Sequence, residues 1–493
     1  MISLEKILKF RNEKEPLFSS WHYNGHTLYG ALIWRGAQPV LQLLLEIDYG
    51  GDIDELEKSD PFLAATKPPN KVTFLGRHPK HGPISVCSSM RSAWSRSLKF
   101  ETGRATYHIE FLPESIWLGA PLEEIDGSIE GATARDFRLA GFFGVPGLER
   151  VSPYGEEAKE KFEAFGSPKE IWLWNGPSEW LIPMGESGFS FGVNTSVTSG
   201  TSATIGYTLQ STVDLHVHSK EPATIAQFKE KIFGLEQIIS HYSIESFSFL
   251  SEEFHTKDGR SAILAWQLGE GPDLFTPPMF HQVLANFAQR DTIETIFADW
   301  FNQSETVRLS RWLFTRSLKE TGSGLARFVA VAQAFEVLGR EHGPTPKITR
   351  SENRDRLKKF RALIKNNFDQ EFIDRADRLI SSSNSNSFQD MITHMIGHAV
   401  EYYRLGKKED VSEICKKFSR LRNTIVHMSD NSEGQLNEAF STVNKMSLRI
   451  SFFYLLVQAH IAQLPLEPGQ VQQFLFNNRN ARHGLDNEVL EGA

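Results

Sequence analysis

The hydrophobic pattern of this chain passes from strand-like in its first half to helical in its second, and that change limits the available folds more than any other feature. From about residue 20 to 220 the signals are those of short strands; after Pro277 the apolar residues recur at helical spacing almost throughout. Runs such as Ile84-Ser-Val-Cys87 and Ala105-Thr-Tyr-His-Ile-Glu-Phe111 are rich in β-branched and aromatic residues and are divided by Gly, Pro and Asn. Ile205, Tyr207 and Leu209, then Val213, Leu215 and Val217, keep a strict period of two. Glu170-Ile-Trp-Leu-Trp174 and Trp180-Leu-Ile182 flank Asn175-Gly176, a favoured turn pair, which Pro177 makes less suited to a two-residue hairpin. Residues 1–275 are therefore expected to form an antiparallel β-rich domain, sandwich-like or barrel-like. It should carry one amphipathic helix, with Pro222 in the first turn and Ile225, Phe228, Ile232, Leu235 and Ile239 along one face. A late strand pair is expected at 247–250 and 263–266.

In the second half, Leu325, Phe328, Val329, Ala332, Phe335 and Leu338 line one face of a helix that Gly339 should close. Further helical patterns span 355–365, 368–380, 388–403, 411–426 and 435–462, with the low-complexity run 381–387 between two of them. The spacing predicts a helical connector over 276–319, a helical bundle over 320–465 and a polar tail over 466–493, docked by Phe474 and Phe476. No repeat of 20 to 50 residues is present. The fold class is α+β and multidomain: an N-terminal antiparallel β-rich domain, then a C-terminal all-α bundle.

Composition narrows the function. At 493 residues, 40% hydrophobic and 23% charged, the chain is too apolar for a disordered protein. Glu5, Lys6, Lys9 and Arg11 interrupt the first apolar residues, unlike a signal peptide. No stretch of about 18 uncharged apolar residues occurs, so no membrane-spanning helix is expected. Cys87 and Cys415 fall in different halves, which excludes a disulfide framework and makes a reducing cytoplasm the expected compartment. The net charge of −8 hides an asymmetry. Residues 305–465 hold 25 Lys and Arg against 18 Asp and Glu, a local charge of +7, which leaves −15 on the rest. That suggests a polyanionic partner, such as nucleic acid, for the helical half.

Three constellations of polar residues carry candidate chemistry. Asp214, His216 and His218 share one strand face, which suits a metal, and the string resembles the opening metal motif of polymerase-and-histidinol-phosphatase type phosphoesterases; the alternative is a solvated sheet face opposite Val213, Leu215 and Val217. His394 and His398 are one helical turn apart, but Met395 and Ile396 stand where a zinc-protease motif needs its glutamate. Arg422-Asn-Thr-Ile-Val-His427 lies near the C-terminal end of a helix whose apolar face is Ile414, Phe418, Leu421 and Ile425. An Arg and a His suffice to transesterify RNA, because the substrate's 2′-OH is the nucleophile. The imidazole moves the proton and the guanidinium clamps phosphoryl oxygens as charge builds. The competing explanations are a surface pair at a helix end, and a non-catalytic protein that binds a ligand and oligomerises.

Arg422, the polar Asn423 after it and His427, set among helices, resemble the signature of HEPN domains, the helical fold of many defence ribonucleases. Arg420 also fits the spacing range, but Leu421 follows it, so Arg422 is preferred. The helix carrying Ala334-Phe-Glu336 resembles the earlier HEPN helix whose acidic residue orients the motif, which makes Glu336 a supporting residue. With the β-rich module ahead of it, the whole chain looks like the ApeA group of abortive-infection proteins. The resemblance implies an anti-phage effector: a metal-independent endoribonuclease acting on RNA, structured transfer RNA being one option. It also implies a homodimer through the helical domain and a phage-derived trigger at the N-terminal domain. No cofactor and no membrane are implied. On a regular helix, residues five apart differ by about 140°. Either the helix ends before His427 or a second copy completes the site.

Overall fold

A computed structural model of the chain describes residues 4–23, 26–36, 38–48, 72–88, 90–99, 102–136, 138–139, 143, 148–151, 171–174, 180–202, 206–267, 284, 289–319, 324–345, 350–364, 386–405, 411–426 and 433–477. The chain divides into two compact units. Met1–Glu236 and Ser248–Pro278 form a β unit; Gln237–Phe247 and Met279–Ala493 form a helical unit.

The β unit opens with helix α1 (Leu4–Arg11) and strands β1 (Leu17–Tyr23), β2 (His26–Arg35), β3 (Gln38–Asp48), β4 (Val72–His78), β5 (Gly82–Ser88), β6 (Met90–Lys99), β7 (Arg104–Leu112) and β8 (Ser115–Gly119). The short helix α2 (Leu122–Ile125) precedes β9 (Ile129–Arg135), β10 (Leu148–Val151), β11 (Ile171–Trp174), β12 (Trp180–Pro183), β13 (Phe189–Ser202) and β14 (Gly206–Ala223). Helix α3 (Ile225–Ser243) then leads to β15 (Ser251–Thr256) and β16 (Ser261–Gln267). Among the described residues, fourteen strands make one sheet in the order β12-β13-β14-β9-β15-β16-β8-β5-β4-β1-β2-β3-β7-β6, and β10 pairs with β11 apart from it. Every pairing is antiparallel.

Period-two burial explains the layering. Ala105, Tyr107, Ile109 and Phe111 of β7 point into one core with Leu41 and Leu43 of β3, Phe74 of β4 and Ile263 of β16. Strands at distant positions in the sheet order share that core, so the sheet coils on itself, as large twisted sheets do. Ile7 and Phe10 of α1 join the same cluster, and the Arg11 guanidinium donates to the carbonyls of Ala265 and Leu250. Gly76 sits opposite Trp21, whose ring lies 2.6 Å from where a Cβ would stand. Only glycine leaves room for the indole there.

Several expectations need correction. The two runs across 170–182, whose hairpin Pro177 disfavoured, are strands with other partners: β11 pairs with β10, and β12 pairs with β13. Pro222 is the next-to-last residue of β14, and the helix starts at Ile225 behind a capping box at Thr224. Thr224 Oγ1 accepts from the Gln227 amide (3.2 Å) and Gln227 Oε1 from the Thr224 amide (2.9 Å). The first strand of the late pair begins at Ser251, because 247–250 is a buried connection. Asn175, Gly176, Ile205, the predicted helix at 368–380 and most of the 381–387 run lie outside the described residues.

The helical unit contains α4 (Arg290–Phe301), α5 (Glu305–Lys319), α6 (Gly324–His342), α7 (Arg350–Ile364), α8 (Phe388–Tyr402), α9 (Ser412–Val426), α10 (Glu433–Ile461) and α11 (Pro468–Asn477). Residues 450–457 of α10 are buried at every position, so this helix runs through the centre of the bundle. Residues 276–319 are more than a connector. Arg311 of α5 is 1% exposed, ion-paired with Asp299 and donating to Gln458 of α10 (2.8 Å), and Ser310 bonds Tyr454 (2.6 Å). The stretch after 466 is also more than a tail: Val471 and Phe474 are buried, and Phe474 stacks on Phe452 with centroids 6.4 Å apart. The Phe476 side chain lies outside the description. Gly339 lies inside α6 rather than after it, where Met391 of α8 packs against it. Among the described residues no helix is long and apolar enough to cross a membrane.

Candidate active site

Helix α9 is amphipathic, with Cys415, Phe418 and Leu421 buried, and this leaves Arg422 at the rim of its buried face. Phe418 meets Phe328 of α6 at 6.4 Å and Phe453 of α10 at 6.2 Å, which fixes the roll of α9. On α6, Ala334, Phe335, Val337 and Leu338 are buried, so Glu336 also projects at a rim. The two rims meet. Arg422 Nη2 lies 2.6 Å from Glu336 Oε1, with both side chains about 30% exposed, at 29% and 31%. Arg422 Nη1 also donates to Asn423 Oδ1 at 3.2 Å, and its guanidinium carbon stands 6.0 Å from the Phe388 ring centre. Three of the four predicted site residues, Arg422, Asn423 and Glu336, are thus brought together. The fourth, His427, follows the last described residue of α9 and lies outside the described residues.

The pair lines a cavity of about 910 Å³. Its walls include Arg340, Ser387 and Phe388 together with Glu336, Arg422 and Asn423. Arg340, Ser387 and Phe388 were not anticipated as site residues. Arg340 had a signal, since it stands one helical turn after Glu336 and so shares its face. Ser387 is the N-cap of α8, closed by a reciprocal box with Asp390, and this anchors the α8 end of the cavity. The volume is in the range of small-molecule and nucleotide pockets. Two arginines among the lining residues, Arg340 and Arg422, suit a phosphate-bearing ligand. Burial pushes the Cys415 thiol up to about 12, so it stays protonated and is no competing nucleophile.

The other two constellations resolve differently. His394 and His398 sit edge to face, with ring centres 4.4 Å apart. Among the described residues, no group of three or more His, Cys, Asp or Glu is placed to hold a metal ion. Asp214, His216 and His218 do share a face, but it is not the solvated one that alternation alone implied. Arg135 and Glu253 are buried there as an ion pair at 2.6 Å, and Arg135 also lies 3.6 Å from Asp214. The Thr133 hydroxyl bridges His216 Nδ1 (3.0 Å) and His255 Nε2 (3.1 Å). Burial first, and then neighbouring His218, Arg135 and His255, hold His216 down at about 4. Burial also raises Asp214, against the pull of Arg135. These residues form a half-buried polar network knitting β14, β9 and β15.

No curated protein and no solved structure matches the chain. A family model described as Apea-like HEPN matches residues 329–458. The match runs from the first third of α6 to the last turn of α10, so it contains Glu336, Arg422, Asn423 and His427 and the helices that position them. Residues 329–458 of this chain are a HEPN domain of the Apea-like family.

Proposed function

We propose that this protein is an anti-phage abortive-infection effector whose HEPN domain cleaves RNA without a metal, through Arg422 and His427. The observation that carries the reading is the Arg422–Glu336 pair on the wall of a nucleotide-sized cavity, within a family that is generally ribonuclease-like. In the proposed step a motif histidine takes the proton of the substrate 2′-OH. The 2′ oxygen bonds to phosphorus while the bond from phosphorus to the 5′ oxygen breaks, and a second imidazole returns a proton to that leaving oxygen. The products carry a 2′,3′-cyclic phosphate and a 5′-OH. Arg422 stabilises the non-bridging oxygens as charge accumulates, and Glu336 holds the guanidinium in place while Asn423 contacts its other nitrogen. One chain supplies one motif histidine, so the base and the acid come from two copies in a homodimer through the helical domain. The β unit receives the phage-derived trigger and restrains the nuclease.

The test is an end-labelled assay on total bacterial RNA in excess EDTA, with and without extract of phage-infected cells. The wild type is expected to give discrete fragments with cyclic phosphate ends. Arg422→Ala and His427→Ala should each lose on the order of 10² to 10³ in rate with the fold intact. Loss of wild-type cleavage in EDTA would overturn metal independence. Normal cutting by His427→Ala would overturn the site and return the chain to the non-catalytic reading.

A further inference from the structure

Residues Gln237–Phe247 belong to the helical unit, although the chain on both sides of them belongs to the β unit. The excursion is clasped at its base. Glu236 Oε1 accepts from the Phe249 amide (2.8 Å), and within the excursion Ser240 Oγ accepts from the Phe247 amide (2.9 Å). Ile238, Ile239, His241, Tyr242 and Ile244 are all buried. His241 is wholly buried, and its ring meets Trp300 of α4 (5.3 Å), Phe314 of α5 (5.0 Å) and Tyr454 of α10 (6.0 Å), each edge to face. Neither ring nitrogen has a hydrogen-bond partner among the described residues. Burial, reinforced by the Arg311 guanidinium, keeps the ring neutral. An imidazole in an aromatic cage costs more than a phenyl ring would. Ile244 adds backbone strain, holding φ at +54°, where a β-branched residue is a genuine outlier. Such costs persist where surrounding structure over-determines them, and they cluster at functional elements.

From His241 the contacts run directly to the candidate site. The Tyr454 ring stacks on Phe314 at 4.6 Å and meets Phe335 of α6 at 5.2 Å. The Tyr454 hydroxyl pairs with Ser310 Oγ at 2.6 Å, and Ser310 Oγ donates to the Ala334 carbonyl at 2.7 Å. Ala334 and Phe335 immediately precede Glu336, whose carboxylate holds Arg422. We propose that Gln237–Phe247 is a positioning element of the nuclease site: His241 wedges Tyr454 against Phe335, and this fixes the turn of α6 from which Glu336 projects. His241 and Tyr454 act through Glu336 and touch no substrate. Its activity readout rests on the ribonuclease reading; its structural readout does not.

The experiment is amide hydrogen exchange with mass spectrometry on the full chain, with RNA cleavage assayed in parallel, for wild type, His241→Ala, His241→Phe and Tyr454→Phe. His241→Ala is expected to speed exchange across 333–338 by about tenfold or more while α11 keeps its protection. Cleavage should fall through kcat, with KM held within about twofold. His241→Phe refills the cage and should restore both. Tyr454→Phe removes one hydroxyl and keeps the ring, so it decides the matter if His241→Ala does not fold; it should loosen 333–338 to a smaller degree. Wild-type exchange at 333–338 in these variants, with 237–247 exchanging faster, would overturn the proposal, for the excursion would then dock without positioning α6. A wild type that cuts no RNA would sink the nuclease reading and leave the exchange result standing.

Discussion

The Arg135–Glu253 pair in the β unit shows how much a single buried charge commits its neighbours. Removing either partner of such a pair strands the other charge and typically costs 3–5 kcal/mol, so the surrounding network must stay intact. His216 is part of that network through Thr133, and burial holds it at about 4 when folded, against about 6.5 in an unfolded chain. Between those values the unfolded chain binds more protons than the folded one. The stability that neutral His216 contributes is therefore complete above about pH 6.5 and is lost as pH falls toward 4. His255 is shifted in the same direction by its own burial and steepens the loss. Replacing His216 by Gln keeps an amide for Thr133 and removes the titration. Denaturant midpoints of the β unit between pH 6.5 and 4.5 should then fall less steeply for His216→Gln. The difference is at most about 1.4 kcal/mol per pH unit, reduced by the solvent that reaches the ring. Identical slopes would mean that His216 takes up its proton as readily in the folded protein as in the unfolded chain. The side-chain alternation of β14 was legible in the sequence. The strands beside it were not, because β9 and β15 come from distant parts of the chain and bring Arg135 and Glu253 onto the face.

At the scale of elements, the site depends on how closely α6 and α8 approach. Gly339 lets them pack: a Cβ there would stand 2.7 Å from Met391 Sδ and 3.4 Å from Met391 Cβ. Alanine requires only that the flexible thioether swing aside. Valine drives a branched side chain into the α8 contact, and overpacking of this kind costs about 1–3 kcal/mol. Gly339→Val should lower the unfolding midpoint of the helical unit accordingly and depress RNA cleavage, since α6 and α8 wall the cavity. Gly339→Ala should do less on both counts, and equal effects from the two would argue against a packing role. Helix periodicity announced α6, α8, α9 and α10 to within a few residues, because each has a continuous apolar face. Gly339 misled, since a glycine near the end of a pattern reads as a terminator, and only the facing helix reveals that it serves a close approach. Arg311 and Ser310 misled in the opposite sense. Polar residues in a presumed connector gave no sign that they would be buried against α10.

For the whole molecule, the period change correctly divided the chain into a β part and a helical part, but one boundary was invisible. No local pattern separates 237–247 from the rest of α3, because that excursion is defined by contacts with helices that follow much later. The candidate site has the same character: Glu336 and Arg422 are 86 positions apart, joined by the packing of α6 on α9. The reading proposed here adds one more long-range demand. Helix α9 remains helical to Val426, and on a regular helix a residue five positions after Arg422, as His427 is in sequence, would stand about 140° around from it. A site that needs both a base and an acid then draws on two copies. Mixed dimers test this. Wild-type and His427→Ala chains, co-expressed under separate tags at fixed total protein, are assayed for RNA cleavage as the wild-type fraction is varied. If each reaction uses a histidine from both copies, activity follows the square of that fraction, so an equal mixture retains about a quarter of the wild-type rate. If each chain cuts alone, the same mixture retains about half. A linear response would remove the dimer from the mechanism and leave the Arg422–Glu336 cavity to be completed within one chain.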